Sequence, residues 1–253
     1  MRTKITRTIV LVAGLISGWH LLVTVLSLPA WILPKPSDVA LSLYQHRGIL
    51  LYHSAITASE ILLGTLLGVT AGIAFALALL YFRRFGRWLL PVLIISQAIP
   101  TFALAPVLML WLGYGLASKV AMAAIALFFP VTMCCYDGLR HTQQEWLDLA
   151  ETMGATPYST LRFIRWPAAM PVLAAGLRIA VVIAPIGAVV GEWVGSSAGL
   201  GYYMLQANAR LMISELFAAL VVLASFTIIF YLLIDWITKQ LVPWQPETTS
   251  IYQ

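Results

Sequence analysis

Residues 142–171, TQQEWLDLAETMGATPYSTLRFIRWPAAMP, form the longest run of the chain that is not plainly apolar, and hydrophobic sequence flanks it on both sides. Thr142 and Glu145 stand at capping-box spacing, which predicts a helix start. Trp146, Leu149, Ala150 and Met153 then recur at helical spacing, with Glu145, Asp148, Glu151 and Thr152 on the opposite side. Gly154 suits the end of that helix, because a residue without Cβ enters the left-handed region at little cost. A second helix is predicted to follow at once, with Thr156 as its cap, Pro157 at its first position and its end before Pro167. The stretch predicts a bent pair of short amphipathic helices in a loop between membrane spans. Such a loop can lie in the lipid interface. A glycine bend with carboxylates on an exposed face fits a protein socket better.

The flanking sequence sets the fold class. With 253 residues, 61% hydrophobic and 10% charged, the chain is no soluble domain. Runs of about 20 apolar residues predict spanning helices and an all-α integral membrane protein. Six transmembrane helices are expected, at about 8–28, 54–82, 88–112, 120–137, 168–194 and 215–237, within a single domain covering 1–253. The first apolar run is too long for a cleaved signal peptide and has no small-x-small site before Pro29, so it is expected to be retained. Residues 29–53, with Pro29, Pro34 and Pro36, predict an outside loop with a short interfacial helix. Gly64, Gly68 and Gly72 recur every four residues in the second span and give it a small-residue face for close helix contact. Pro91, Pro100 and Pro106 require the third span to be bent or partly unwound, which needs neighbouring protein or a water-filled cavity. Cys134 and Cys135 are adjacent, without metal-ligand spacing, and are taken as apolar filler.

The net charge of +5 is distributed as a topology signal rather than as a nucleic-acid patch. With the N-terminus inside, Arg2, Lys4, Arg7, Arg83, Arg84, Arg87, Arg140, Arg162, Arg165 and Lys239 are cytoplasmic, and Lys35, Arg47, Lys119 and Arg210 lie outside. Ten against four predicts both termini in the cytoplasm and puts the central loop on the side where ATP is.

No catalytic set emerges. The stretch from Gly113 to Val120 lacks the glycine before its lysine and the hydroxyl residue after it that a phosphate-binding loop needs, and it falls on the wrong side. His20, His46, His53 and His141 show no metal-binding pair on one helix. Polar residues inside the spans are the remaining candidates, since they are costly there and usually face the bundle interior. Glu60 and Arg178 serve either assembly or the path. Gln97, three residues before Pro100 in the least regular helix, either lines a solute path or makes an interhelical hydrogen bond. Glu192, beside Trp193, is expected near a mouth, where it meets solute or a docked protein.

The central stretch also resembles the cytoplasmic loop of permease subunits in ATP-binding-cassette (ABC) importers, whose pattern is Glu-Ala-Ala, three residues, Gly, nine residues, then Ile-x-Leu-Pro. Ala150, Gly154, Ile164 and Pro167 match in register, while Asp148, Leu149 and Trp166 depart from it. Pro100-x-x-Ala103-Leu104-x-Pro106, Leu110-Trp111-Leu112-Gly113-x-Gly115, Ser118-Lys119 and Gly199-Leu200-Gly201-Tyr202 are similar to the nitrate, sulfonate, taurine and thiamine-precursor branch. The run from Gly191 to Gly201, and Glu60-Ile61-Leu62-Leu63-Gly64, lean toward the thiamine-precursor (hydroxymethylpyrimidine) permeases. Together the similarities cover about 57–241.

The resemblance implies a type I importer permease in the bacterial inner membrane, acting as a homodimer in the lipid with two ATPase subunits and a periplasmic or lipid-anchored binding protein. It implies ATP and Mg on the partner ATPase and no cofactor on this chain. Residues 142–167 would be the coupling loop, with Asp148, Ala150, Met153, Gly154, Ala155, Ile164 and Pro167 as coupling residues. Gln97, Pro100, Glu192 and Trp193 are the path candidates. A secondary carrier would show internal repeats and buried mid-membrane charges, and would leave the central loop unexplained. A structural subunit without a transport role is the third possibility.

Overall fold

The computed structural model describes residues 2–244, all in helices and short connections. The helices are α1 (Arg2–Val25), α2 (Pro36–Gln45), α3 (Arg47–Tyr81), α4 (Arg83–Ser96), α5 (Ala105–Leu112), α6 (Leu116–Arg140), α7 (Gln144–Thr152), α8 (Pro157–Thr160), α9 (Trp166–Gly195), α10 (Leu200–Ala209) and α11 (Ile213–Leu241). Among the described residues, α3, α6, α11 and the run Pro157–Gly195 are long and apolar enough to cross a membrane. The pair Gly86–Ser96 and Thr101–Leu112 makes a fifth span if its 93° bend lies within one crossing. In α1 the described apolar part is shorter, Val10–Val25.

Three helices form the core, with α6 packed along both α3 and α9. Glycines permit the approach. A Cβ at Gly64 would lie 2.5 Å from Ala123 Cβ, one at Gly68 2.8 Å from the Ala124 carbonyl, and one at Gly72 3.0 Å from Val131 Cβ. The predicted small-residue face of α3 is thus the α6 contact. On the other side of α6, Gly138 meets Ala169, Gly176 meets Cys134, and Gly187 meets Ala123. Cys135 is fully buried in this slab with Leu127, Val131, Ala180 and Ala184. The cysteines are packing residues, as their sequence context suggested.

The break between α4 and α5 follows from Pro100. A residue before proline is pushed out of the helical region. Helix α4 accordingly tightens into three-residue bonds, with the N–H groups of Gln97, Ala98 and Ile99 donating to the carbonyls of Ile94, Ile95 and Ser96.

Several boundaries differ from the sequence expectation. The second span begins at Arg47, because His46 closes α2 and starts α3 directly. Thr142 does not cap α7: Gln143 is the N-cap residue without a side-chain bond, and the Thr142 hydroxyl donates to the Leu139 carbonyl instead. Glu145 therefore has no reciprocal partner in a capping box. The helix begun at Thr156 does not stop before Pro167. It passes through a π-helical turn, Leu161–Arg165, straight into α9. The wider turn gives the proline ring room that a regular α-turn denies it. Helix α10 was not anticipated.

Candidate functional site: two poles of the helix slab

Two poles carry the polar and irregular chemistry, at opposite ends of α3. At the α7 pole the elbow is built as a Schellman closure. Gly154 has φ +75°, its N–H donates to the Glu151 carbonyl, and the Ala155 N–H donates to the Ala150 carbonyl. Thr156 then caps α8, its hydroxyl oxygen accepting from the Ser159 N–H at 3.2 Å, with Pro157 in the first turn. Both features stand where the sequence predicted them.

Apolar side chains project from this elbow. Met153 is 77% exposed and Leu149 60%, with Trp146 and Phe163 also exposed. Ile164 and Pro167 lie behind them in a cavity of about 450 Å³ that Trp146, Leu149, Ala150, Met153 and Trp244 also line. Asp148 is exposed and accepts from Gln144 Nε2 at 2.8 Å. Ala150 faces inward and is buried, and Ala155 is half-buried against a second cavity bounded by Leu77, Tyr81, Phe82 and Arg165. Of the seven expected coupling residues, Asp148, Met153 and Gly154 are therefore surface, and the other four support them.

At the α10 pole the polar groups are buried. Glu192 is 1% exposed. Its Oε1 accepts from the Thr57 hydroxyl at 2.6 Å, and its Oε2 accepts from the N–H groups of Gly201 at 2.5 Å and Tyr202 at 3.2 Å. Thr57 Oγ1 accepts from the Leu200 N–H at 2.7 Å, and His53 Nδ1 accepts from the Gly199 N–H at 3.0 Å. These are the amides from the N-cap through the first turn of α10, the ones a helix leaves without internal partners. Residues of α3 and α9 satisfy all of them. Gly199, with φ +113°, is required here, because a Cβ would run into the Glu192 carboxyl group.

Glu60 is buried, and its Oε2 has no hydrogen-bond partner among the described residues. Lys119, which sequence had placed in an outside loop, is buried and donates to the carbonyls of Tyr114 at 2.5 Å and Gly115 at 3.0 Å. Tyr203 of α10 donates to Glu215 Oε2 at 2.5 Å, and burial with that carboxylate pushes its phenol up from the ordinary tyrosine range. The signal for this pole was present in sequence: His53, Thr57 and Glu60 share one helical stripe with Gly64, Gly68 and Gly72.

The other candidates lie elsewhere. Gln97 and Pro100 are exposed at the α4–α5 break, where Gln97 Nε2 donates to Ser96 Oγ at 3.3 Å. Trp193 is exposed next to buried Glu192. Arg178 in α9 pairs with Asp235 of α11 at 2.8 Å, and Lys239 meets the other oxygen of Asp235 at 2.8 Å. Among the described residues no group of His, Cys, Asp and Glu side chains gathers to hold a metal ion.

A slab of glycine-packed helices with a glycine-bent amphipathic elbow matches a known family. The family model for binding-protein-dependent transport system inner membrane components matches residues 64–245. The chain belongs to that family. A probable ABC transporter permease protein of Haemophilus influenzae is 48% identical over 242 residues, covering 96% of this chain and 99% of the relative. The formylaminopyrimidine transport permease protein ThiX of Halalkalibacterium halodurans is 34% identical over 230 residues, 90% of this chain and 92% of the relative. The riboflavin transport system permease protein RibX of Chloroflexus aurantiacus is 36% identical over 229 residues, 90% and 85%. A chain of the inward-facing MetNI methionine ABC transporter shares the fold, with a TM-score of 0.68 at 18% identity over 78% of this chain and 97% of that one.

The chain is the permease subunit of a binding-protein-dependent ABC importer and a multi-pass inner-membrane protein. It is not itself an enzyme: ATP hydrolysis belongs to a partner ATPase. Membership also implies a solute-binding protein and dimer formation.

Proposed function

We propose that the α7–α8 elbow is the surface through which the ATPase drives this permease, that the elbow lies on the cytoplasmic face, and that the solute is a pyrimidine precursor of thiamine. One observation carries the coupling assignment: Leu149 and Met153 stand exposed on a short polar loop whose backbone is fixed by the Gly154 closure. Exposed apolar side chains held on a rigid bend are what a socket on another subunit would bury. Asp148 and Met153 touch the ATPase, Gly154 sets the bend, and Ala150, Ala155, Ile164 and Pro167 hold it against the slab. Two such permeases work with two ATPases, which carry the ATP and Mg, while this chain binds no cofactor. The α10 pole then faces the binding protein, periplasmic or lipid-anchored, and the α4–α5 break with Gln97 and Pro100 borders the path.

Gly154→Arg tests the coupling assignment. A Cβ there meets nothing within 4 Å, so the variant is expected to insert and fold. It should fail to co-purify with the ATPase and lose uptake. Normal uptake by that variant would overturn the assignment.

The solute proposal is supported by the relatives' names, since the formylaminopyrimidine permease is 34% identical and the sulfonate and taurine permeases 28% and 26%. The riboflavin relative also handles a nitrogen heteroaromatic. Titrating the cognate binding protein with hydroxymethylpyrimidine, formylaminopyrimidine, riboflavin and taurine decides among them. Tightest binding of taurine would put the chain with the sulfonate branch instead.

A further inference from the structure

The far end of α10, away from its clasped first turn, repeats the closure seen at Gly154 with a different residue. The Leu211 N–H donates to the Asn208 carbonyl at 3.0 Å and the Met212 N–H to the Ala207 carbonyl at 2.9 Å, which is again the Schellman pattern. The residue that turns left-handed here is Leu211, with φ +60°. Glycine fits such a position, as Gly154 does, whereas leucine sets its Cβ against the following carbonyl oxygen. Packing within the chain does not explain the choice, because Leu211 is 73% exposed. Strained residues that their own fold does not require cluster at binding and switch surfaces.

Contact with lipid does not explain it either. Residues 61–81 of α3 carry no charge and, at 1.5 Å per residue, measure roughly 30 Å, the hydrocarbon thickness of a bilayer. Residues 47–60 carry the same helix roughly 20 Å further, past the headgroups at the end opposite the elbow. His46 caps that end of α3, and its Nε2 lies 3.6 Å from Glu215 Oε1 in the first turn of α11. The Leu211 turn, just before Glu215, therefore stands in water. Trp31, Leu41 and Met212 are also exposed, and with Leu211 they line a cavity of about 570 Å³ that Asp38 and Gln45 border. Apolar side chains inside a polar margin, on a backbone closed by its own hydrogen bonds, are the makings of a protein interface.

We infer that the Leu211 turn is a docking surface for the solute-binding protein, with Leu211 as its anchor, an assignment that rests on the cytoplasmic placement of the elbow proposed above. That placement leaves this end of the slab on the side from which solute is delivered, and family membership implies such a partner. The cavity receives an apolar side chain of the binding protein, and hydrogen-bond donors of the same protein meet Asp38 at the margin. Leucine holds the left-handed position because its side chain is buried in the complex and not in the free permease. The clasp at the first turn of α10 supplies the rigid base, and the turn at the other end supplies the contact.

Stability and association should move in opposite directions. The assembled transporter in lipid nanodiscs is titrated with its cognate binding protein, and the same samples are melted. Leu211→Gly and Leu211→Asn both accept the left-handed conformation, so each should raise the Tm by about 2–4 °C. Each should also weaken the affinity for the binding protein about tenfold or more, the loss of one buried leucine. Leu211→Met keeps an apolar side chain at the same position and should bind as the wild type does. Unchanged affinity in the glycine and asparagine variants overturns the inference, and so does a fall in their Tm, which would make Leu211 part of the permease's own packing. If Gly154→Arg still loses the ATPase in that case, the elbow assignment stands alone. Benzoylphenylalanine in place of Leu211 identifies the occupant by photo-crosslinking. Attachment to the binding protein supports the inference, and attachment to lipid or to a second permease overturns it. Attachment to the ATPase overturns the proposed orientation along with it.

Discussion

The two poles solve the same local problem in opposite ways. Each contains a glycine at positive φ, Gly154 at +75° and Gly199 at +113°, where the chain turns between helices. At Gly154 the turn is closed by its own backbone and a Cβ would meet open space; at Gly199 it is closed by side chains from α3 and α9 and a Cβ would strike Glu192. The α10 pole satisfies the amides of its first helical turn with side chains of α3 and α9 and keeps those acceptors buried. The α7 pole satisfies its backbone locally and leaves apolar side chains outside. A saturated pole is complete within one chain, and an unsaturated one is shaped for a partner.

The largest effect should come from Gly199→Ala. Strain at positive φ adds to a clash with a carboxyl held by three hydrogen bonds, so a loss on the order of 4 kcal/mol is expected. It should register as a large drop in the Tm of the purified transporter and loss of amide protection through α10. The matched change Gly154→Ala should cost only about 1 kcal/mol, the backbone term alone. Equal effects at the two glycines would erase the distinction between the poles.

Glu192→Ala comes next. It leaves the Gly201 and Tyr202 amides without their acceptor and the Thr57 hydroxyl with only the His53 carbonyl at 3.2 Å, and should cost about 2–4 kcal/mol. Glu192→Gln keeps the shape and one good acceptor, and should fall by roughly half as much. Thermal melts of the two variants side by side check the order.

How much of this was legible beforehand depended on whether the determining contacts were local. The elbow was legible: the Gly154 bend, the Thr156 cap and Pro157 in the first turn of α8 involve neighbours within a few residues. So was the glycine face of α3, because a period of four along one helix implies a contact whatever the partner is. The α10 clasp was not. Its first turn carries no cap of its own, and its acceptors come from His53, Thr57 and Glu192 on other helices. Glu192 was expected at a mouth because Trp193 and a run of glycines surround it; that two of those glycines, Gly199 and Gly201, let the backbone close over its carboxylate was not legible. Thr142 misled in the other direction. Its spacing to Glu145 satisfies the capping pattern, but α6 ends just before it and the Leu139 carbonyl takes its hydroxyl first.

The smallest stability effect is expected where the proposed function predicts a large one on assembly. Leu149 and Met153 are 60% and 77% exposed, so Leu149→Gln and Met153→Gln remove little buried surface and should shift folding stability by less than about 0.5 kcal/mol. The same replacements would remove anchors that a socket buries, and the affinity for the ATPase should drop by about 10–100-fold for each. Titration of the solubilised permease with its ATPase, beside thermal melts of the same samples, separates the two quantities. If both variants bind the ATPase as tightly as the wild type, these side chains face lipid headgroups rather than protein, and the elbow is an interfacial element. If both melt early, they are part of the slab's own packing and the α7 pole is as self-contained as the α10 pole. Only unchanged stability with weakened association is consistent with one pole closed upon itself and the other finished by a partner.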